Sequence, residues 1–372
     1  MINVKEFVDY LSSINIDFFT GVPDSQLSSF ADYVEKNCDN IIAANEGNAL
    51  AIASGYNLST GNYPLVYLQN SGLGNIVNPV TSLTHSEVYS IPVVYLIGWR
   101  GQPGIHDEPQ HIKQGAITLD LLELLDIEHI VITKESEFNE LKETFENNFI
   151  GKLNDGKSVA IVVSKGAFED YKIKKENNNT LTREESIQTI VDYLSDDDIV
   201  ISTTGKSSRE LFEYREDLKQ GHANDFLTVG SMGHSSSIAL GVALNIVNKK
   251  IFCFDGDGAI LMHMGSIALI GSMGPENFHH VMFNNSAHES VGGLPTIMSD
   301  IYMDEVVLAC GYKKVYHASN IDELKEVLPH FIEDTGPVFL NIDVNLESRK
   351  DLGRPTTTPI ENKINFIEKL RG

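Results

Sequence analysis

Short apolar runs alternate along the chain with stretches whose apolar positions recur at helical spacing. In the first half, the runs expected as strands are Ile16–Thr20, Ile41–Ala44, Leu65–Leu68, Val93–Ile97, His129–Ile132 and Val159–Val163. The second half adds Ile199–Ser202, Ile251–Phe254, His280–Asn284, Lys314–Tyr316 and Val338–Val344. Helical stretches lie between most of them, and the opening MINVKEFVDYL reads as an amphipathic helix. Such alternation predicts an α/β fold with mostly parallel sheets flanked by helices.

The rhythm breaks between Lys165 and Thr182, where KIKKENNNT is polar and rich in Asn. That composition reads as an exposed linker. Thr182-Arg183-Glu184-Glu185 then carries the spacing of a capping box, which opens a new helix. The expected layout is one domain over residues 1–170, a linker over 171–181 and a second domain over 182–372. A length of 372 residues fits two domains. No short-period repeat is visible.

Composition narrows the partners. A formal net charge of -24 repels nucleic-acid phosphates and anionic lipid, so neither nucleic acid nor a membrane is an expected partner. An anionic substrate would need a local cluster of cations against that background. The three cysteines, Cys38, Cys253 and Cys310, are far apart in apolar surroundings and read as thiols in a reducing compartment. The sequence has no signal-peptide pattern and no apolar run long enough to span a bilayer, so a cytoplasmic location is expected.

In open parallel sheets, ligands gather at the carboxyl ends of strands. At such ends lie Gly21-Val-Pro-Asp-Ser25, Asn45-Glu-Gly47, Thr203-Thr-Gly-Lys206, Asp255-Gly-Asp-Gly258 and Asn284-Asn285. A lone Gly-Asp-Gly reads as a surface turn. Paired with two asparagines at the end of the next strand, it puts the Asp257 carboxylate and the Asn285 amide oxygen at one sheet edge. Hard oxygen ligands of this kind suit Mg²⁺ or Ca²⁺ with diphosphate oxygens completing the shell. Gly256 and Gly258 permit close approach to phosphate, and a helix starting near Ala259 would point free N–H groups at it.

This pairing resembles the cofactor motif of thiamine diphosphate enzymes. The resemblance extends over nearly the whole chain. It implies two domains of the thiamine diphosphate-binding fold: a pyrimidine-binding (PYR) domain, then a diphosphate-binding (PP) domain. It implies Mg²⁺ held by Asp257, Asn285 and the backbone carbonyl of Ala287, with Thr204, Gly205, Gly256, Gly258 and Ala259 beside the cofactor. Glu46, at a strand end feeding a helix of small residues, matches the glutamate that bonds the aminopyrimidine ring. By itself it also reads as an acid favoured by a helix dipole. In Val229-Gly-Ser-Met-Gly-His234, Gly230 and Met232 match the residues that bond the amino group and wedge the cofactor. The family also implies a homodimer or larger assembly, with each site between PYR and PP domains of different subunits.

Substrate signals come from GVPDS at 21–25, from the loop Gly98–His111 and from NNSAHESVGG at 284–293. The loop holds the chain's one Trp, with Arg100 and two histidines. Together these sequences resemble the phosphonopyruvate decarboxylase family, with Leu294 where that family has Gln. The resemblance implies decarboxylation of a 2-keto acid, 3-phosphonopyruvate, to an aldehyde and CO₂. Asp24, His111 and His288 are candidate proton shuttles, with Glu46 as the activating acid. Ser25, Arg100, Lys206 and Arg209 are candidate substrate contacts, because a doubly charged phosphonate needs cationic donors. The alternatives are a sulfopyruvate or other 2-keto acid decarboxylase, a metal-dependent phosphatase suggested by DGDG, and a cofactor-binding regulatory paralogue without catalysis.

Overall fold

A computed structural model describes residues 1–371. The chain forms two compact units, one from Met1 to Lys174 and the other from Lys175 onward. In the first unit the strands are β1 Phe18–Gly21, β2 Asp39–Ile42, β3 Pro64–Gln69, β4 Val94–Gly98, β5 Glu128–Ile132 and β6 Val159–Val163. They lie side by side in the order β2-β1-β3-β4-β6-β5, every pair parallel. In the second unit the strands are β7 Ile199–Ser202, β8 Asp225–Leu227, β9 Ile251–Gly256, β10 Phe278–Asn284, β11 Lys314–Ala318 and β12 Val338–Asp343. Their order is β11-β12-β10-β9-β7-β8, again all parallel.

Both central strand sets are buried because helices cover each face. In the second unit Phe252, Phe254, Val281 and Phe283 join one core, while Ile251, Cys253 and Met282 join the core on the opposite face. This is the two-residue side-chain period of a strand, with apolar positions on both sides. The order of strands reverses direction between β1 and β3 in the first unit and between β7 and β9 in the second. Such reversals open a crevice at the carboxyl ends of the strands. The segments after β1, β2, β3, β4, β7, β9 and β10 carry the chemistry described below.

Some expectations need correction. β8 was not among the strands read from the sequence. Its three residues, Asp-Phe-Leu, hold a buried acid paired with Arg215 at 3.0 Å, so no apolar run announces it. The helix expected from Ala259 begins at Asp257 and ends at Met262, and a separate helix covers Gly265–Met273. The segment expected as an exposed linker is tied down at both ends. Tyr171 and Ile173 donate backbone N–H groups to Ser29 and Asp32 of the first unit, at 3.1 and 3.2 Å. Asn177 and Asn179 donate to the Val344 carbonyl of the second, at 3.1 and 2.9 Å. The Thr182–Glu185 capping box forms and starts the helix Arg183–Tyr193.

Candidate active site

At the carboxyl edge of the first sheet, Asp24 lies just beyond β1 and is fully buried. Its Oδ1 accepts from Gln69 Nε2 at 2.7 Å, and its Oδ2 accepts from the Gln26 backbone N–H at 3.0 Å. Burial pushes its pKa above the ordinary carboxylate value, although these bonds and the nearby Arg100 charge oppose the shift. A buried acid of this kind can hold a proton and deliver it. Gly98, ending β4, makes the room: any Cβ there would strike the Asp24 carboxylate.

Arg100 stands between Ser25 and Asp107. Its Nη1 donates to Ser25 Oγ at 3.1 Å, while Nε and Nη2 grip Asp107 at 2.8 and 2.6 Å. Asp107 also accepts from the backbone N–H groups of Gly101 and Glu108, both at 2.8 Å. Burial alone would raise the Asp107 pKa, but the Arg100 and backbone bonds outweigh it and hold it below the usual carboxylate range. The expected long loop is shorter than the sequence suggested, because a helix begins at Pro109 and places His111 on its first turn. Trp99 is a buried wall residue whose indole donates to the Gly115 carbonyl at 2.9 Å.

Glu46 is the first residue of the helix Glu46–Thr60, and Asn45 caps that helix by accepting from the Asn48 N–H at 2.9 Å. The Glu46 side chain is buried, and its Oε2 accepts from Asn75 Nδ2 at 2.6 Å. A Cβ at Gly72 would strike this carboxylate, so glycine keeps open the space that faces it.

In the second unit, Asp257 and Asn285 follow the neighbouring strands β9 and β10 and are both buried. Asp257 Oδ2 accepts from Thr296 Oγ1 at 2.5 Å. Burial pushes the Asp257 pKa up to about 6, with the Thr296 bond opposing. The Asn285 amide is oriented at both ends: Oδ1 accepts from the Ala287 N–H at 3.0 Å and Nδ2 donates to Glu289 Oε2 at 3.3 Å. The Ala287 carbonyl accepts from the Glu289 N–H at 2.9 Å, which leaves its second lone pair. The loop closes back through Thr296 N–H to the Ser286 carbonyl and His288 N–H to the Leu294 carbonyl, at 2.9 and 2.8 Å.

Residues 4–124 match the N-terminal TPP binding domain of thiamine pyrophosphate enzymes, and residues 203–342 match the C-terminal TPP binding domain. A phosphonopyruvate decarboxylase of Streptomyces viridochromogenes is 33% identical, with 97% of this chain and 93% of that protein covered. The chain belongs to the thiamine diphosphate-dependent decarboxylase family. A second phosphonopyruvate decarboxylase, of Streptomyces hygroscopicus, is 31% identical over 99% of this chain and 94% of its own. A sulfopyruvate decarboxylase of Methanosarcina acetivorans is 26% identical over 88% and 87%. The chain is therefore a carboxy-lyase that uses thiamine diphosphate, and its two sheets are those of the two cofactor-binding domains.

The second unit of this decarboxylase fits a diphosphate bound through a cation. Asp257 is a buried carboxylate whose charge a cation would offset. Gly258 faces His288 and Met232: a Cβ there would come within 3.0 Å of the imidazole and 3.4 Å of the methionine Cε. Glycine thus keeps free the space between those side chains. Burial lowers the His288 pKa to about 4, so this imidazole is neutral near pH 7 and can accept a proton or a hydrogen bond. Gly205, at φ 98, adopts a backbone conformation that a side chain would strain, and it leads into the helix Lys206–Leu218 beside Thr204. Gly230 and Met232 lie on the loop before the helix Ser235–Asn245. Gly233 seats that loop on the Ala259 carbonyl, where a Cβ would fall at 2.9 Å. Ala259 is buried in the short helix Asp257–Met262.

Each candidate phosphonate-binding cation of the second unit already has partners. Lys206 Nζ donates to Glu289 Oε1 at 2.7 Å and Ser348 Oγ at 2.6 Å. Arg209 donates to the backbone carbonyls of Leu352 and Gly353. Arg183 bridges Glu210 and Glu289 at 2.7 and 2.5 Å, so Glu289 sits between two cations and the Asn285 amide. Sequence reasoning missed the partners Gln69, Asn75, Asp107, Thr296 and Glu289. A signal for the first two was present in the polar, glycine-containing stretch Gln69-Asn-Ser-Gly-Leu-Gly-Asn75 at the end of β3.

Proposed function

We propose that this decarboxylase converts 3-phosphonopyruvate to phosphonoacetaldehyde and CO₂, as a step in making phosphonates, with Mg²⁺ as the metal. The observation that carries the substrate is the Arg100–Ser25 pair beside buried Asp24, in a chain similar over nearly its full length to two relatives named phosphonopyruvate decarboxylases. Bound thiamine diphosphate supplies a nucleophilic carbon for the keto carbonyl and an electron sink for the carboxylate's electrons. Asp257, Asn285 and the Ala287 carbonyl would hold Mg²⁺, which suits oxygen ligands. Glu46 would exchange a proton with the aminopyrimidine, held in place by Asn75. Asp24 would return a proton to carbon after CO₂ leaves, since burial favours its protonated form. Arg100, held by Asp107 through Nε and Nη2, would offer its Nη1 to the phosphonate, with Ser25 adding a hydroxyl.

We also propose that the chain self-associates into a homodimer or larger assembly, as the family resemblance implies; sedimentation analysis of the full chain checks this. Sulfopyruvate is the second reading of the substrate, because its sulfonate presents a similar anionic head and the Methanosarcina relative is named for it. CO₂ release from phosphonopyruvate, sulfopyruvate and pyruvate, each with thiamine diphosphate and Mg²⁺, tests the proposal. Selective turnover of phosphonopyruvate supports it. Turnover of another keto acid alone moves the substrate, and buried Leu294 becomes the first residue to exchange.

A further inference from the structure

One face of the second sheet is packed with Ile199, Ile201, Ile251 and Met282, and it carries a polar island. Cys253 and Asp255 lie two residues apart on β9 and therefore share that face. His280 on β10 stands in register with Cys253. All three are fully buried, and their ligand atoms lie within 4.8 Å of one another. Asp255 Oδ2 and His280 Nε2 are 3.7 Å apart, beyond hydrogen-bond reach, and among the described residues neither has a hydrogen-bond partner. The other polar atom of each is engaged. Asp255 Oδ1 accepts from the Gly256 N–H at 3.1 Å, and His280 Nδ1 shares a hydrogen bond with the Tyr312 hydroxyl at 3.0 Å. Outer partners of this kind aim ligand atoms at a metal.

We propose that Cys253, Asp255 and His280 bind a zinc-class divalent cation, with the buried Ser235 hydroxyl beside the thiol in the fourth position. Sulfur, imidazole and carboxylate ligands in a closed tetrahedral site suit zinc. A cation would also pair the buried carboxylate, which otherwise has no matching charge within hydrogen-bond reach. The thiol proton leaves to solvent when the cation binds, so no redox partner is needed. Enclosure means the ion is taken up as the chain folds. The site is structural, it lies apart from the Asp257 ligand set, and its argument does not depend on the choice of substrate. Asp255 bonds the backbone of Gly256, so a bound ion would stiffen the turn that presents Asp257.

Cobalt is the probe. The full chain is produced in minimal medium with Co²⁺ replacing zinc, washed with chelator, and examined by elemental analysis and absorption. The expected result is roughly one cobalt retained per chain with a thiolate-to-cobalt charge-transfer band. The band should persist in Asp257→Asn and in the double variant Cys38→Ser/Cys310→Ser, which leaves the island intact. It should vanish in Cys253→Ala. Wild-type protein without the band, or a band lost in the double variant, overturns the proposal, and both readings stand whether or not Cys253→Ala folds.

Discussion

Asn75 donates its side-chain amide to Glu46 Oε2 at 2.6 Å, so the proposed activating carboxylate has a fixed partner from the helix Leu73–Pro79. A hydrogen bond to a charged group contributes about 1.5–3 kcal/mol. Asn75→Leu should therefore lower kcat by roughly tenfold or more at saturating cofactor, with the KM for keto acid little changed. Steady-state CO₂ release checks this. Unchanged kcat would mean that Asn75 does not orient Glu46 during turnover.

Thr296 Oγ1 bonds the Asp257 carboxylate at 2.5 Å. Removing a partner that orients a metal ligand costs about 10–100-fold in metal affinity. Thr296→Val should weaken Mn²⁺ binding in the presence of thiamine diphosphate by that amount, read by paramagnetic titration. Activity should return at high metal concentration, because Thr296 touches neither substrate nor the reacting carbon in this account.

Arg100 offers the proposed phosphonate contact and is held in place by Asp107. Arg100→Ala should raise the KM for phosphonopyruvate by on the order of a hundredfold, the cost of losing a charge-assisted bond. Any residual turnover of pyruvate should change little, since pyruvate lacks the anionic head. A parallel loss on both substrates would place Arg100 in general site assembly instead. Asp107→Asn should show a weaker version of the same split.

His317 bonds Asp304 at 3.3 Å and Asp343 at 2.8 Å, and these bonds raise its pKa to about 10. A raised histidine pKa adds stability that is fully present below the unfolded value near 6.5 and lost as pH rises through about 10. The group is nearly half exposed, so solvent screening limits the contribution to about 1 kcal/mol. His317→Gln should destabilise the protein by that order near pH 7, and the difference from wild type should shrink above about pH 10. Denaturant unfolding at both pH values measures it.

Much of the fold was legible because parallel strands covered on both faces are continuous apolar runs; Val159–Val163 and Ile199–Ser202 coincide with their expected limits. β8 escaped because it is three residues long and opens on an acid, Asp225, whose burial against Arg215 no local pattern announces. Asp257 and Asn285 were legible as a pair because their turns end neighbouring strands. The partners Asn75, Gln69 and Thr296 were not, since each meets its acid through tertiary packing rather than local spacing. The cations were the least legible. Their charge is visible in the sequence, but Lys206 is spoken for by Glu289 and Arg100 by Asp107 only once the chain has folded.

The most direct test of the account is Glu46→Gln. Calorimetry should show that the variant still binds thiamine diphosphate with Mg²⁺, since the residues proposed to hold the diphosphate and metal are untouched. CO₂ release should fall by about 10²–10⁴-fold, because an amide cannot exchange the proton. Turnover at the wild-type rate would contradict the assignment of Glu46 and, with it, the site proposed around it.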